Sequence, residues 1–211
     1  MIAGDKSARS ARKAKGAGHL RRGEILSAAE RIFVRDGYHG ATIRRIADEV
    51  GISSTALYMH FRDKSEILVE ICEQAFAQLT AQTDQVAAMA LEPTERVRLI
   101  LDAYIQFGLD NPNAYQLVFA SPPGALSDDK LDALNALGMQ SYGRFVAVLG
   151  EVAAAGRLRS GDVDVAAQSL WAGAHGLVAL LITQPRFAWS ASPAALKAAM
   201  LDTLFHGLII T

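Results

Sequence analysis

All six prolines, at 93, 112, 122, 123, 185 and 193, lie beyond residue 92. The preceding stretch therefore lacks the strongest helix breaker, and its turns fall to Gly37, Gly40 and Gly51. Along the chain apolar residues recur three and four apart, alanine is abundant, and strict alternation is absent. These constraints leave an all-α chain. Helices are predicted over about 20–36, 43–49, 54–60, 64–88, 93–110, 113–120, 128–155, 163–184 and 194–209. Thr42 and Asp63 stand where the caps of the second and fourth belong, and Pro93 opens the fifth. With 211 residues, 51% of them apolar, the chain can bury a substantial core and is not of the disordered class.

The formal net charge of -1 hides an uneven distribution. Residues 1–70 carry 13 Lys/Arg against 9 Asp/Glu, whereas 71–211 carry 8 against 13. A basic head on an acidic body suits a chain that meets a polyanion at one end. The competing reading is a solvated tail that only aids solubility. Residues 1–18 are basic, Gly/Ala-rich and free of an apolar run, which predicts a flexible arm rather than a signal peptide. The single cysteine, Cys72, excludes an intramolecular disulfide framework and makes a reducing cytoplasm the default compartment.

The informative stretch is 42–64, TIRRIADEVGISSTALYMHFRDK. It predicts two short amphipathic helices joined at Gly51, with Ile46, Val50, Ile52, Leu57 and Phe61 as their shared core. The outward face of the second helix is then Ser53, Ser54, Thr55, Tyr58 and His60, with no acid among them. That pattern fits a helix-turn-helix whose second helix enters the major groove of double-stranded DNA. An ordinary packed helix pair is the alternative.

Residues 20–70 resemble the DNA-binding domain of the TetR (tetracycline repressor) family of bacterial transcription regulators. The segment 25–40 (ILSAAERIFVRDGYHG) is similar to the family's first helix, and 42–61 to its helix-turn-helix, ending Leu57-Tyr58-x-His60-Phe61. Lys64-Ser65-Glu66-Ile67-Leu68 matches the opening of its fourth helix. The resemblance implies phosphate contacts for Thr42, Tyr58, His60 and Lys64, and base or phosphate contacts for Arg44, Ser53, Ser54 and Thr55. Arg44 is the first candidate for base reading, and Arg45 for a phosphate or surface contact. Position 56 departs from the family pattern: Ala56 stands where many members carry a hydroxyl or glycine, so one phosphate contact is in doubt.

The implied organisation is a small three-helix DNA-binding domain over 19–66, then a larger helical effector-binding and dimerisation domain over 67–211. In the family the last two helices pair between subunits, and the stripe Leu196, Met200, Leu204, Leu208 fits that role. The uncharged run 165–185 is long enough to span a bilayer, yet its Gln, Ser, His and Thr residues favour a buried or dimer-forming helix. Within it Trp171-x-x-x-His175-Gly176 resembles a signature of one C-terminal subclass. Trp171 and His175 share a helix face and admit two readings, ligand pocket or packing. With them Tyr104, Phe107, Tyr115, Phe119, Tyr142 and Phe145 are candidates to line a pocket for a small hydrophobic effector.

Nucleophile-elbow, P-loop and metalloprotease motifs are missing, and the five histidines are dispersed. No enzyme activity, cofactor or metal is expected. The reading is a homodimeric, ligand-responsive repressor released from a palindromic operator by its effector, with a DNA-binding accessory protein lacking an effector as the alternative.

Overall fold

The computed structural model describes residues 17–119, 124–159 and 161–210, with side chains from Arg21 onward. The predicted arm lies outside the described residues except for Ala17 and Gly18, which already belong to the first helix. Pro122 and Pro123, between the helices predicted over 113–120 and 128–155, lie outside them too.

The described residues form nine helices: α1 Ala17–Gly40, α2 Ile43–Val50, α3 Ser54–Tyr58, α4 Lys64–Ala87, α5 Pro93–Asp110, α6 Pro112–Phe119, α7 Asp128–Ala154, α8 Val163–Thr183 and α9 Pro193–Leu208. The only extended pairing among them is an isolated antiparallel bridge between Leu158 and Ile209, which ties the exit of α7 to the end of α9.

The predicted stop at Gly37 appears as a break inside α1. Its φ of 73° and ψ of 158° leave the helix, and one further turn closes when Ala41 N–H donates to the Gly37 carbonyl. That kink drops Tyr38 onto Phe33, with ring centroids 5.5 Å apart. α3 ends two residues earlier than the sequence predicts. The amides of His60 and Phe61 both donate to the Leu57 carbonyl, which closes the helix and lets Phe61 turn into the core.

α2 and α3 form the reading head. Thr42 caps α2 by accepting from Arg45 N–H, and Gly51 (φ 71°, ψ 37°) closes it in the left-handed region. Ile46, Ala47, Leu57 and Phe61 are buried, with Val50 and Ile52 packed at the edge. α4 connects this head to the body. Its Asp63 cap accepts from Glu66 N–H and the Ser65 hydroxyl, while Glu66 accepts from Arg62 N–H.

In the body α4 packs along α7, and α5 against α7 and α8. Three contacts fix the direction of the α4/α7 pair: Ser65 with Lys130, Phe76 with Gly138, and Asp84 with Arg144. Both residue numbers rise together, so the helices run parallel. α5 meets α8 at Gly108, where an added Cβ would lie 2.4 Å from Val178 Cγ1. α8 meets α9 at Gly173, where it would lie 2.7 Å from Leu204 Cδ1.

α8 is the one helix among the described residues long and apolar enough to cross a membrane. Its inner face, Ala166, Ala167, Leu170, Ala174 and Val178, is buried against the body. Val165 and Leu180 remain exposed on the other side, and Trp171, partly open, stands at the flank toward α7.

Candidate nucleic-acid interface and ligand cavity

Side chains at the α2–α3 head project outward because the apolar residues of both short helices turn inward. The Arg44 side chain is 86% exposed, with only a 4.0 Å approach to Asp48 one turn on. Arg45 lies 3.1 Å from Asp36 of α1, whose carboxylate also takes the Arg35 guanidinium in a two-point contact. These cations hold the Asp36 carboxyl below its ordinary range, the Arg35 hydrogen bonds contributing most. The structure thus separates two adjacent arginines: Arg44 is held loosely, Arg45 is already paired.

Thr42 and Ser53 both serve as N-caps, Ser53 accepting from Ala56 N–H at 3.1 Å. Their hydroxyl protons remain available to an acceptor. Ser54 and Thr55 begin α3, Thr55 exposed and Ser54 partly so. Tyr58 is exposed at the end of α3, and His60 is partly buried with its carbonyl accepting from Arg22. Lys64 is more committed than the sequence suggests. Its ammonium donates to the carbonyls of Tyr38 and Ala41 and sits 4.3 Å from the Tyr38 ring centroid. It therefore pins the α1–α2 junction to α4 and has one N–H left.

Sequence reasoning overlooked Met59 and Arg62, both exposed beside Tyr58, Met59 at 83%. The signal was their position after Tyr58, which the predicted helix over 54–60 concealed for Met59, while Arg62 stood in the plain gap before Asp63. It also counted Arg22 with the free basic head. Arg22 instead donates to both Glu70 carboxylate oxygens and to the His60 carbonyl, and lies 4.1 Å from the Phe61 ring centroid.

In the body a cavity of about 700 Å³ opens between α4, α5 and α7, reaching α8. Of the eight predicted pocket residues, Tyr104, Phe119, Tyr142, Phe145 and Trp171 line it. Phe107 does not: it is buried one turn beyond Tyr104 on α5, past the cavity's end. Tyr115 and His175 do not line it either. They stand behind Tyr104, with the Tyr115 hydroxyl 2.6 Å from His175 Nδ1. The Tyr104 hydroxyl lies 3.0 Å from that of Tyr115 and 3.1 Å from the imidazole. Burial lowers the His175 pKa, which favours a neutral ring, and pushes the Tyr104 phenol up to about 12. The Trp171/His175 pair is thereby divided, the indole at the cavity and the imidazole in a bonded network.

No Asp, Glu, Lys, Arg or His is among the described residues lining the cavity. α4 contributes Cys72, Phe76, Leu79, Gln82 and Thr83, none of which sequence reasoning placed in a pocket. The available signal was the change from apolar to amide and hydroxyl where the inner stripe of α4 reaches Gln82-Thr83. Burial pushes the Cys72 thiol up to about 12, so it is an unreactive wall group. Among the described residues no group of three or more His, Cys, Asp or Glu side chains is placed to hold a metal.

A helix-turn-helix head with an exposed, acid-free second helix, carried on a larger helical body, defines a DNA-binding transcription regulator. Residues 25–71 match the family of bacterial regulatory proteins, tetR family, and 97–204 match the tetracyclin repressor-like C-terminal domain. The chain belongs to the TetR family of transcription regulators, which are not enzymes. It is 32% identical over 99 residues to the HTH-type transcriptional activator FasR of Mycolicibacterium smegmatis, covering 47% of this chain and 45% of FasR. It is 28% identical over 146 residues to the transcriptional repressor KstR2 of the same organism, covering 69% of this chain and 70% of KstR2. The crystal structure of AibR in complex with isovaleryl coenzyme A and operator DNA superposes with a TM-score of 0.74 at 20% identity, over 88% of this chain and 98% of AibR.

Proposed function

We propose that the chain is a homodimeric repressor, held on a palindromic DNA operator in the cytoplasm and released by a small hydrophobic effector. The observation that carries this reading is the path of α4. Its first two turns pack into the reading head through Lys64 and Glu70, and its middle forms a wall of the uncharged cavity. A molecule that wedges between α4 and α7 would favour a conformer in which the head is reoriented. Two heads then no longer match half-sites about one helical turn apart. Supporting this, KstR2 is named a repressor, and AibR was solved with both an acyl-coenzyme A and operator DNA.

The assigned parts are 19–66 as the DNA-binding domain and 67–211 as the effector-binding and dimerisation domain. Thr42, Arg44, Arg45, Ser53, Ser54, Thr55, Tyr58, His60 and Lys64 form the DNA-facing set. α8 and α9 form the subunit interface, since α8 leaves an apolar outer face uncovered in the single chain. A DNA-binding accessory protein without an effector would have no use for a cavity of about 700 Å³.

The experiment is selection of bound sequences from a random duplex library, followed by anisotropy titration of the selected site. A palindromic site bound with steep salt dependence supports the reading. Selection of no preferred sequence, or binding by a monomer, overturns it.

A further inference from the structure

Five of the aromatic residues that line the cavity follow one another in an unbroken series. Between ring centroids, Tyr104 of α5 lies 6.3 Å from Phe119 of α6, and Phe119 lies 6.5 Å from Trp171 of α8. Trp171 lies 6.0 Å from Tyr142 of α7, and Tyr142 lies 6.2 Å from Phe145. Four helices thus build one aromatic belt. Its interplanar angles run from 54° to 66°, so neighbouring rings meet tilted or edge to face. A sixth ring, Phe76 of α4, lies against Gly138 of α7 and lines the same cavity. The belt is braced from behind. Phe119 has the Tyr115 and His175 rings 4.7 and 4.8 Å from its own, and the Tyr104 hydroxyl is taken up by the same two residues.

Such a wall discriminates by shape. A planar fused-ring molecule offers both faces and edges to tilted rings, and gains stacked or T-shaped contacts beyond the area it buries. A flexible alkyl chain gains area alone and loses its rotational freedom on binding. Rings already fixed by their neighbours need no further ordering by the ligand, which favours a rigid partner. Charge selects further. The described lining holds no cation for a carboxylate and no carboxylate for an ammonium, so either ion would leave water uncompensated.

We propose that the cavity takes a neutral, planar, fused-ring molecule seated along the belt from Tyr104 to Phe145. This rests on the reading of the cavity as the effector site. Its volume of about 700 Å³ lies in the range that takes a molecule of several rings.

The test holds one ring system and varies its charge at about pH 7.5: 9-anthracenemethanol, 9-anthracenecarboxylate and 9-anthracenemethylammonium, with 1-nonanol as a flexible neutral comparator. Binding of each to the full chain is measured by calorimetry. The anthracene alcohol is expected to bind about tenfold or more tightly than each of the other three. Trp171→Leu is expected to cut its margin over nonanol to about threefold or less. Trp171→Phe, which keeps a ring in the belt, should preserve that margin. Tyr142→Leu and Tyr142→Phe form a second such pair, so a Trp171 variant that fails to fold leaves the test standing. Nonanol binding as tightly as the anthracene alcohol overturns the proposal, as does either charged form binding tightest, or binding of none of the four. So does a margin that survives both leucine substitutions. If the anthracene alcohol binds as expected but leaves operator affinity unchanged, the ligand class stands and the release mechanism falls.

Discussion

The Lys130 ammonium, at the start of α7, donates to the Ser65 hydroxyl in the first turn of α4 across 2.6 Å. Ser65 in turn donates to Asp63, the residue that caps α4 beside the reading head. A side chain of the body thus reaches the junction with the DNA-facing helices, at the end of the α4/α7 pair opposite Gln82 and Tyr142. Lys130→Met removes the tie without emptying the site of packing atoms. It is expected to lower stability by about 1 kcal/mol and to weaken the effector's influence on operator affinity while leaving effector binding intact. Urea unfolding and paired anisotropy titrations check this. An effector response as large as in the parent chain would show that the signal travels by another route.

The Asp63 carboxyl carries a pH signature of the same junction. The Ser65 hydroxyl first, then the Glu66 amide and the Lys130 charge, hold its pKa below 3.8, against the opposing effect of burial. A depressed carboxylate pKa contributes stability that is complete above the unfolded value and lost as pH falls through the folded one. Stability is therefore expected to drop below about pH 4, and Asp63→Asn to flatten that drop. Denaturant midpoints from pH 2.5 to 6 measure it.

Arg22 makes a stronger claim on the fold than its place in a basic segment suggested. Its guanidinium meets Glu70, the His60 carbonyl and the Phe61 ring at once, joining α1 to the α3–α4 corner. Arg22→Ala is expected to destabilise the chain by about 1.5–3 kcal/mol. Arg22→Lys should recover little of it, because an ammonium cannot reproduce the two-point contact with the carboxylate. Chemical denaturation of both variants decides the matter.

The helix pattern was legible because proline placement, caps and apolar spacing act locally. Thr42, Gly51, Asp63 and Pro93 each punctuate the chain where the sequence placed them. Less legible was which charges are free. Arg22, Arg45 and Lys64 all look like phosphate ligands in a string of letters, but their partners are 48, 9 and 26 residues away and only the fold brings them together. The cavity followed the same division. Aromatic residues on α5, α7 and α8 could be picked by type, whereas Phe107 and Tyr104 differ by less than one turn and only tertiary packing places one in the wall and the other past it. Gln82 was missed because a single amide on a long helix reads as surface until the helix packed against it is known.

Arg44 and Arg45 offer an internal control for the DNA interface. Arg44→Ala is expected to weaken operator binding by about 1–3 kcal/mol and to relax sequence preference. Arg45→Ala should cost less, because its guanidinium is shared with Asp36 in the free protein. Anisotropy titrations against the selected operator and single-base variants measure both effects. Equal losses without any change of preference would make Arg44 a phosphate contact.

Gly173 and Gly176 lie nearly one turn apart on α8 and report on different neighbours. At Gly173 a Cβ would meet Leu204 of α9, whereas at Gly176 nothing lies within 4 Å in the single chain. Four residues on from Gly176, Leu180 is exposed, and four residues back so is Ala172. An open strip of small and apolar residues on a helix that otherwise carries the core is what a second subunit would cover. Gly176→Leu should therefore leave the monomer's packing intact, costing less than about 1 kcal/mol in helix and surface terms, while shifting the chain from dimer to monomer. Light scattering across a concentration series, read beside circular dichroism, separates the outcomes. A folded Gly176→Leu variant that remains dimeric would place the subunit interface elsewhere on the body.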